Sequence, residues 1–431
     1  MKSLALFVGA ALALIAGKWF AMHDVPFWDE AFYVRAARAV HATHFSLHVY
    51  VSGTVVRPPL VAFYLALVQQ VSGSLAALRI AMCVLAAGLV PCVPRLVAAL
   101  GGTLRARILA PLLLLAAPLY VAQSSLVLSD MAVTVAIAWA WLALLERRTV
   151  TFTLCACAAV LCKESGYVVA LVAAAVLWRR DRRPFAAIAP LLLLGAWVVA
   201  RKLCAGTATP GIDRHSIGYN HLDAALIHDL WEGGRFLLLP WALVALRRRE
   251  PERVWTAVLV IAFPLLFPAP LPRYMLPTLP LLCALAAVGL DTQPAPRAWA
   301  YAAVALVFGA TTLRTPSWHT NGGHHLDCNL RYRRLLALQV EATRRLAAEH
   351  PRAVLSTFPI IDLLGAAPAD GVLAAPLSVV NAERSAPCGP DWLVSSSTET
   401  PAAPSGVVAP WLRLTDEDFF VQLSRVSCDG R

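Results

Sequence analysis

Charge is what this 431-residue sequence has least of: 15% of its residues are Asp, Glu, Lys or Arg, and the acids are the scarcer sign, 26 against 37 bases. With 59% hydrophobic residues and a positive mean hydropathy, that scarcity excludes a soluble globular fold, which carries roughly a quarter charged residues. No internal repeat marks a solenoid, and no inverted pair of broken helices marks the transporter folds built on such repeats. The ten cysteines lack metal-site spacing; Cys155 and Cys157 have no companions. The first apolar run, 4–20, follows a single lysine and has no persuasive small-residue cleavage site, so it is expected to stay as a membrane span.

What is present is a succession of apolar segments, at 4–20, 60–71, 78–94, 108–128, 131–145, 152–162, 166–178, 185–203, 235–246, 254–268, 274–290 and 298–313. They predict a polytopic α-helical membrane protein. The net charge of +11 sits in short loops rich in arginine (Arg95, Arg105 and Arg107; Arg147 and Arg148; 179–183; 247–253), which the positive-inside rule places in the cytoplasm, and no nucleic-acid partner is implied. With a cytoplasmic N-terminus those loops share one side only if the 60–71 segment does not cross. It is therefore expected to be a juxtamembrane or re-entrant helix on the outer face, which leaves about eleven spans. On that count Asp29, Glu30, Arg57, Asp130, Lys163, Glu164 and Arg273 all fall at the outer surface.

Composition shifts after residue 313. A transmembrane domain over 1–318, with its first outer loop at 21–77, is expected to be followed by a small outer-face α/β domain over 319–431. There Tyr332, Leu335, Leu336, Val340, Thr343, Leu346 and Ala347 predict one side of a helix, 353–358, 391–394 and 419–426 read as strands, and the proline-rich 400–410 reads as loop. Cys204, Cys328, Cys388 and Cys428 are expected outside, where disulfides can form, with the pairing undetermined.

Four constellations can carry chemistry. The adjacent acids Asp29 and Glu30 open a stretch, 29–41, in which Phe32, Ala36 and Ala39 or Val40 recur at helical spacing, with Arg35 and Arg38 off that line; the loop closes on Arg57-Pro58-Pro59. A carboxylate and a guanidinium held together at a lipid surface can take a proton from an alcohol and hold a phosphate. A helix cap beside a surface arginine is the plainer explanation. Asp130 opens an apolar helix, where an acid can be only a cap, yet it can also orient an acceptor hydroxyl or hold a divalent metal. Lys163-Glu164 lies between two spans, as an interfacial pair or as a point charge for a leaving phosphate. Arg273-Tyr274 enters a late span, as a snorkelling anchor or as a phosphate clamp. His324, His325 and Asp327 offer donors for a metal.

In chain order these motifs resemble the GT-C type membrane glycosyltransferases, in the broad group of bacterial aminoarabinose transferases and protein O-mannosyltransferases. The likeness spans most of residues 23–280. It lies in an Asp-Glu pair in the first outer loop, a basic or polar residue before Pro-Pro, a Ser/Thr-x-Asp type acid opening a later span, a lysine-glycine turn after the following span, and a basic-tyrosine element before a late helix. The resemblance implies a polyprenyl-phosphate sugar donor and transfer to a hydroxyl of a lipid, glycan or protein acceptor outside the cytoplasm, at a bacterial inner membrane with a periplasmic C-terminal domain. It implies Asp29, beside Glu30, as catalytic base, with Arg57, Lys163, Arg273 and Tyr274 around the donor phosphate and Asp130 supporting the acceptor or a divalent cation. The chain departs from the group in having Val56-Arg57 before Pro-Pro and Glu164-Ser165 between the lysine and Gly166. Two other classes stay open on sequence: a lipid or solute transporter, whose charges sit mid-span, and a non-catalytic assembly protein.

Overall fold

The computed structural model describes residues 2–27, 29–52, 57–181, 184–205, 234–266, 272–313, 330–357, 360–366, 372–373, 375, 377–381, 390–397, 407–416 and 419–427. Two compact units divide the chain. One takes Met1–Met22 and Tyr33–Leu313; the other takes His23–Phe32 and Leu330–Arg431.

Every one of the twelve apolar segments becomes helix in the first unit. After α1 (Lys2–Lys18), the polar loop itself folds into α2 (Glu30–Ala42), α3 (Leu47–Ser52) and α4 (Leu60–Gln69). α5 (Leu75–Ala87) and α6 (Leu89–Ala99) join end to end at Gly88. α7 (Leu104–Ala116) breaks at the extended Ala117, and α8 (Pro118–Gln123) begins on the proline that forces this break. α9 (Ser129–Leu145), α10 (Thr149–Cys162), α11 (Tyr167–Asp181), α12 (Phe185–Ala205), α13 (Leu239–Ala245), α14 (Pro251–Leu266), α15 (Leu279–Leu290) and α16 (Ala295–Thr312) follow.

Among the described residues four helical stretches are long and apolar enough to cross a membrane by length and composition: Ser3–Ala21, Leu75–Ala99, Phe185–Ala205 and Arg273–Leu290. The expected eleven are not recovered at that length. Several segments form helices of only 10–17 residues: α9 ends at the charged turn Glu146-Arg147-Arg148 and α10 at the extended Lys163. α4, with ten residues, reaches about 15 Å, half the thickness of the hydrocarbon layer.

Contacts between loops sort the charges to two ends of this helical unit. At one end Arg95 pairs with Glu146 at 2.7 Å, Arg105 with Asp291 at 3.0 Å, and Arg253 donates to the Leu100 carbonyl at 2.9 Å. The other end holds the junctions that follow α8, α10 and precede α15. There the loop helices form a small core of Ala36, Val40, Tyr50, Val51, Ala62, Ala66 and Trp197. The buried line of α2 runs through Tyr33, Ala36, Ala37 and Val40, while Phe32 and Ala39 are exposed, so the predicted stripe is rotated by about one residue.

In the second unit α17 (Tyr332–Ala348) packs on a five-stranded sheet, and α18 (Ile360–Ala366) connects two of its strands. The strands are β1 (Val354–Ser356), β2 (Val379–Asn381), β3 (Trp392–Ser396), β4 (Val407–Asp416) and β5 (Phe419–Ser427), in spatial order β2-β1-β3-β5-β4. β1 pairs in parallel with β2 and β3; β5 runs antiparallel to β3 and β4. The helix buries Gln339 and Ala342 where Val340 and Ala347 were expected. Residues 407–410, read from sequence as loop, belong to β4, which tolerates Pro410 because it is an edge strand with a register shift between Pro410 and Leu412. His23–Phe32 joins this unit through an Asp24–Arg333 ion pair and a Phe27–Tyr332 ring contact at 4.5 Å, so the first loop is shared between the two units.

Candidate active site

Asp130 stands in the first turn of α9, behind the extended Leu128, and is only 3% exposed. It is not spent on capping. Its Oδ1 accepts from Lys163 Nζ at 2.5 Å, and Arg273 Nε lies 3.9 Å from Oδ2. Lys163 reaches it because the chain leaves α10 at Cys162, extends for one residue (φ −158°, ψ 145°) and makes a single 3-10 turn, Glu164–Gly166, before α11. Gly166 permits that turn: a Cβ there would meet the backbone of Ala159 in α10.

Arg273 and Tyr274 sit on another 3-10 segment, Pro272–Thr278, that leads into α15. Lys163 Nζ stands 3.8 Å from the centre of the Tyr274 ring and the Arg273 guanidinium 5.4 Å from it. Four of the residues predicted from sequence thus meet, from three junctions spread over some 140 positions. One carboxylate faces two cations in a nearly water-free place, where electrostatic attraction for an anion is strong. Arg57 pairs with Glu164, the residue after Lys163, at 3.5 Å; this pair is more open, with side chains 35% and 19% exposed.

Several supporting residues carry no sequence signal. Tyr33 donates its hydroxyl to Ser129 Oγ at 2.6 Å, tying α2 to the turn that presents Asp130. Tyr50 donates to the Arg57 carbonyl at 2.9 Å; burial pushes its phenol well above the usual range, so it remains a neutral donor. Arg235, buried, donates to Thr278 Oγ1 at 2.5 Å and to the Met275 carbonyl at 2.7 Å, fixing the turn that bears Arg273 and Tyr274. Arg201 donates to the Val51 carbonyl at 2.5 Å. Of the two arginines, Arg201 could have been flagged by its position within the apolar α12, where a charge needs a purpose; Arg235 opens a 3-10 turn, Arg235–Leu237, ahead of α13.

Asp29 and Glu30 belong to the second unit and are described within it. Asp29 is half-buried in the turn before α2. Glu30 is fully buried, and its Oε2 accepts from the Phe27 backbone N–H at 2.7 Å, a helix-start contact of the capping-box kind. Among the described residues no three His, Cys, Asp or Glu side chains gather. Asp130, with a cation facing each oxygen, does not fit a divalent metal. His324, His325, Asp327, Cys328, Cys388 and Cys428 lie outside the described residues; Cys204 is an exposed free thiol.

No protein-family model matches the chain, and no curated protein matches it. Solved structures do. The crystal structure of ArnT from Cupriavidus metallidurans bound to undecaprenyl phosphate is 20% identical, with a TM-score of 0.53, over 80% of this chain and 72% of that one. The apo crystal structure of the same ArnT is 19% identical with a TM-score of 0.55, over the same shares. At such identity the likeness is one of architecture: this chain has the fold of these ArnT structures.

Proposed function

We propose that the protein is a glycosyltransferase that moves a sugar from a polyprenyl-phosphate carrier to a hydroxyl acceptor. One observation carries the reading: Lys163, Arg273 and Tyr274 converge on Asp130 at the end of the helical unit opposite the arginine loops. A buried cluster with more cationic than anionic charge suits a lipid-linked phosphate that must be held and then released with added negative charge. The ArnT fold, solved elsewhere with undecaprenyl phosphate, supports the same ligand class here.

In this reading the acceptor oxygen attacks the anomeric carbon while its proton passes to the Asp29 carboxylate. The bond from that carbon to the phosphate oxygen breaks, and the departing polyprenyl phosphate keeps the electron pair. A single displacement inverts the anomeric configuration. Lys163, Arg273 and Arg57 stabilise the leaving phosphate, and Tyr274 orients it. Asp130 holds Lys163 and Arg273 in place. No step runs through a metal. Asp29 contributes by its position against the acceptor hydroxyl. The site faces the periplasm of a bacterial inner membrane, with the arginine loops cytoplasmic.

The test is to incubate the purified protein with polyprenyl-phosphate sugars and an alcohol acceptor and follow release of polyprenyl phosphate. Transfer is expected from the wild type, and none from Asp29→Asn, which keeps its fold and its affinity for the donor. Full turnover by that variant removes Asp29 from the mechanism; no release with any donor removes the function.

A further inference from the structure

At the far end of α9 from Asp130, the structure holds a cavity of about 300 Å³ between the C-termini of α9 and α11 and the N-terminus of α14. That volume is at the lower bound for a small-molecule site. Fifteen residues separate Asp130 from Leu145, so the cavity lies about 22 Å along the helix from the candidate active site and owes nothing to the proposed reaction.

Its lining is divided by chemistry. Arg147, Arg179 and Arg180 supply three cations against one acid, Glu252. Elsewhere at this end Glu146 pairs with Arg95 and Arg148, Asp291 with Arg105, and Glu250 with Arg253. Within the cavity lining the cations outnumber the acid three to one. Arg180 is steadied by its bond to the Leu144 carbonyl at 3.3 Å, and the first turn of the 16-residue α14 directs its positive end toward the same space. The remaining wall is apolar, with Trp141 and Trp255. Trp141 is fully buried and donates Nε1 to Thr256 Oγ1 at 2.9 Å, so this wall is fixed between α9 and α14.

We infer that this cavity binds the headgroup of an anionic membrane lipid, its phosphodiester held by Arg147, Arg179 and Arg180 and its glycerol backbone lying against Trp255, which the buried Trp141 backs. Planar guanidinium groups match phosphate oxygens two at a time. Basic pockets between spans, edged by tryptophan, are where such headgroups lodge. A free phosphate would have no use for the apolar wall. That difference commits the site to lipid.

The experiment uses the full chain, delipidated in neutral detergent, with phosphatidylglycerol, phosphatidylcholine or inorganic phosphate added. Binding is read by native mass spectrometry and by melting temperature. Phosphatidylglycerol is expected to form a stoichiometric adduct and raise the melting temperature; phosphatidylcholine and inorganic phosphate at equal concentration are expected to do neither. Arg147→Gln with Arg179→Gln should weaken the lipid about tenfold or more, about 1.4 kcal/mol at least. Arg179→Gln alone serves if the pair does not fold. Arg248→Gln, an arginine outside the cavity, should leave binding unchanged. Equal response to phosphatidylcholine, full response to inorganic phosphate, or lipid binding undiminished in the arginine variants would each overturn the site.

Discussion

The Asp130–Lys163 pair is almost wholly shut from water, at 3% and 2% residue exposure, so removing Lys163 leaves Asp130 with the more distant Arg273, at 3.9 Å. Lys163→Met is expected to destabilise the protein by up to about 3 kcal/mol, the low end of the cost of breaking a buried pair because Arg273 remains. Adding Asp130→Asn should recover much of the melting temperature while transfer stays absent, which separates folding from catalysis. Glu164 makes the contrasting case. Its bond to Arg57 is part-exposed and weak, and it holds a cation that the donor phosphate also wants. Glu164→Gln should tighten binding of polyprenyl phosphate by a few-fold, on the scale of an exposed ion pair, and the gain should vanish in an Arg57→Ala background. Isothermal titration of the four proteins checks it. These residues were legible in the sequence because a charge in an apolar chain is conspicuous. Tyr33, Tyr50 and Ser129 were not, since a neutral hydroxyl announces nothing until the fold brings it a partner.

At the scale of elements, the apolar runs located the long helices of the larger unit but not where they stop, and the short α3 in the polar first loop was missed. Ala117 before Pro118 and Lys163 after Cys162 end helices inside or beside runs whose hydropathy barely changes. The sheet was less legible. β5 alternates plainly at first, burying Phe419, Val421 and Leu423 between the half-buried Phe420 and Gln422; β4 hides behind Pro410, and β2 is three residues long. One carboxylate joins β1 to β3 at their open ends. Burial alone would push the Asp391 carboxyl up, but backbone N–H groups of Ala353 at 2.9 Å and Arg352 at 3.2 Å, with the Arg352 guanidinium, hold it below the ordinary carboxylate range. A carboxyl depressed by folding stabilises above its unfolded value near 3.9 and loses that contribution as the pH falls through its folded one. Amide protection in β1 and β3 is therefore expected to decline below about pH 4 in the wild type. In Asp391→Asn it should be lower at neutral pH and nearly flat with acid, as hydrogen exchange on the full chain would record.

For the whole molecule, the segregation of charge to two ends makes orientation testable without chemistry. A tag between Gly73 and Ser74, in the turn before α5, should react from the periplasmic side, and one between Arg147 and Arg148 from the cytoplasmic side. A cytoplasmic tag at residue 74 would invert the site and end the proposal. Charge parity among the arginine loops is the sequence argument for that expected orientation, because short loops obey electrostatics whatever the helices between them do. The division of the first loop between two units was hidden, since it depends on Asp24 finding Arg333 some 300 positions away. The outermost strand has a consequence at this scale as well. β4 ends the sheet with a ring nitrogen that has no hydrogen to offer and a kink beside it, so a neighbouring molecule trying to extend the sheet would find its ladder interrupted. Crowded side by side in a bilayer, copies of this protein are thereby discouraged from knitting together into fibres.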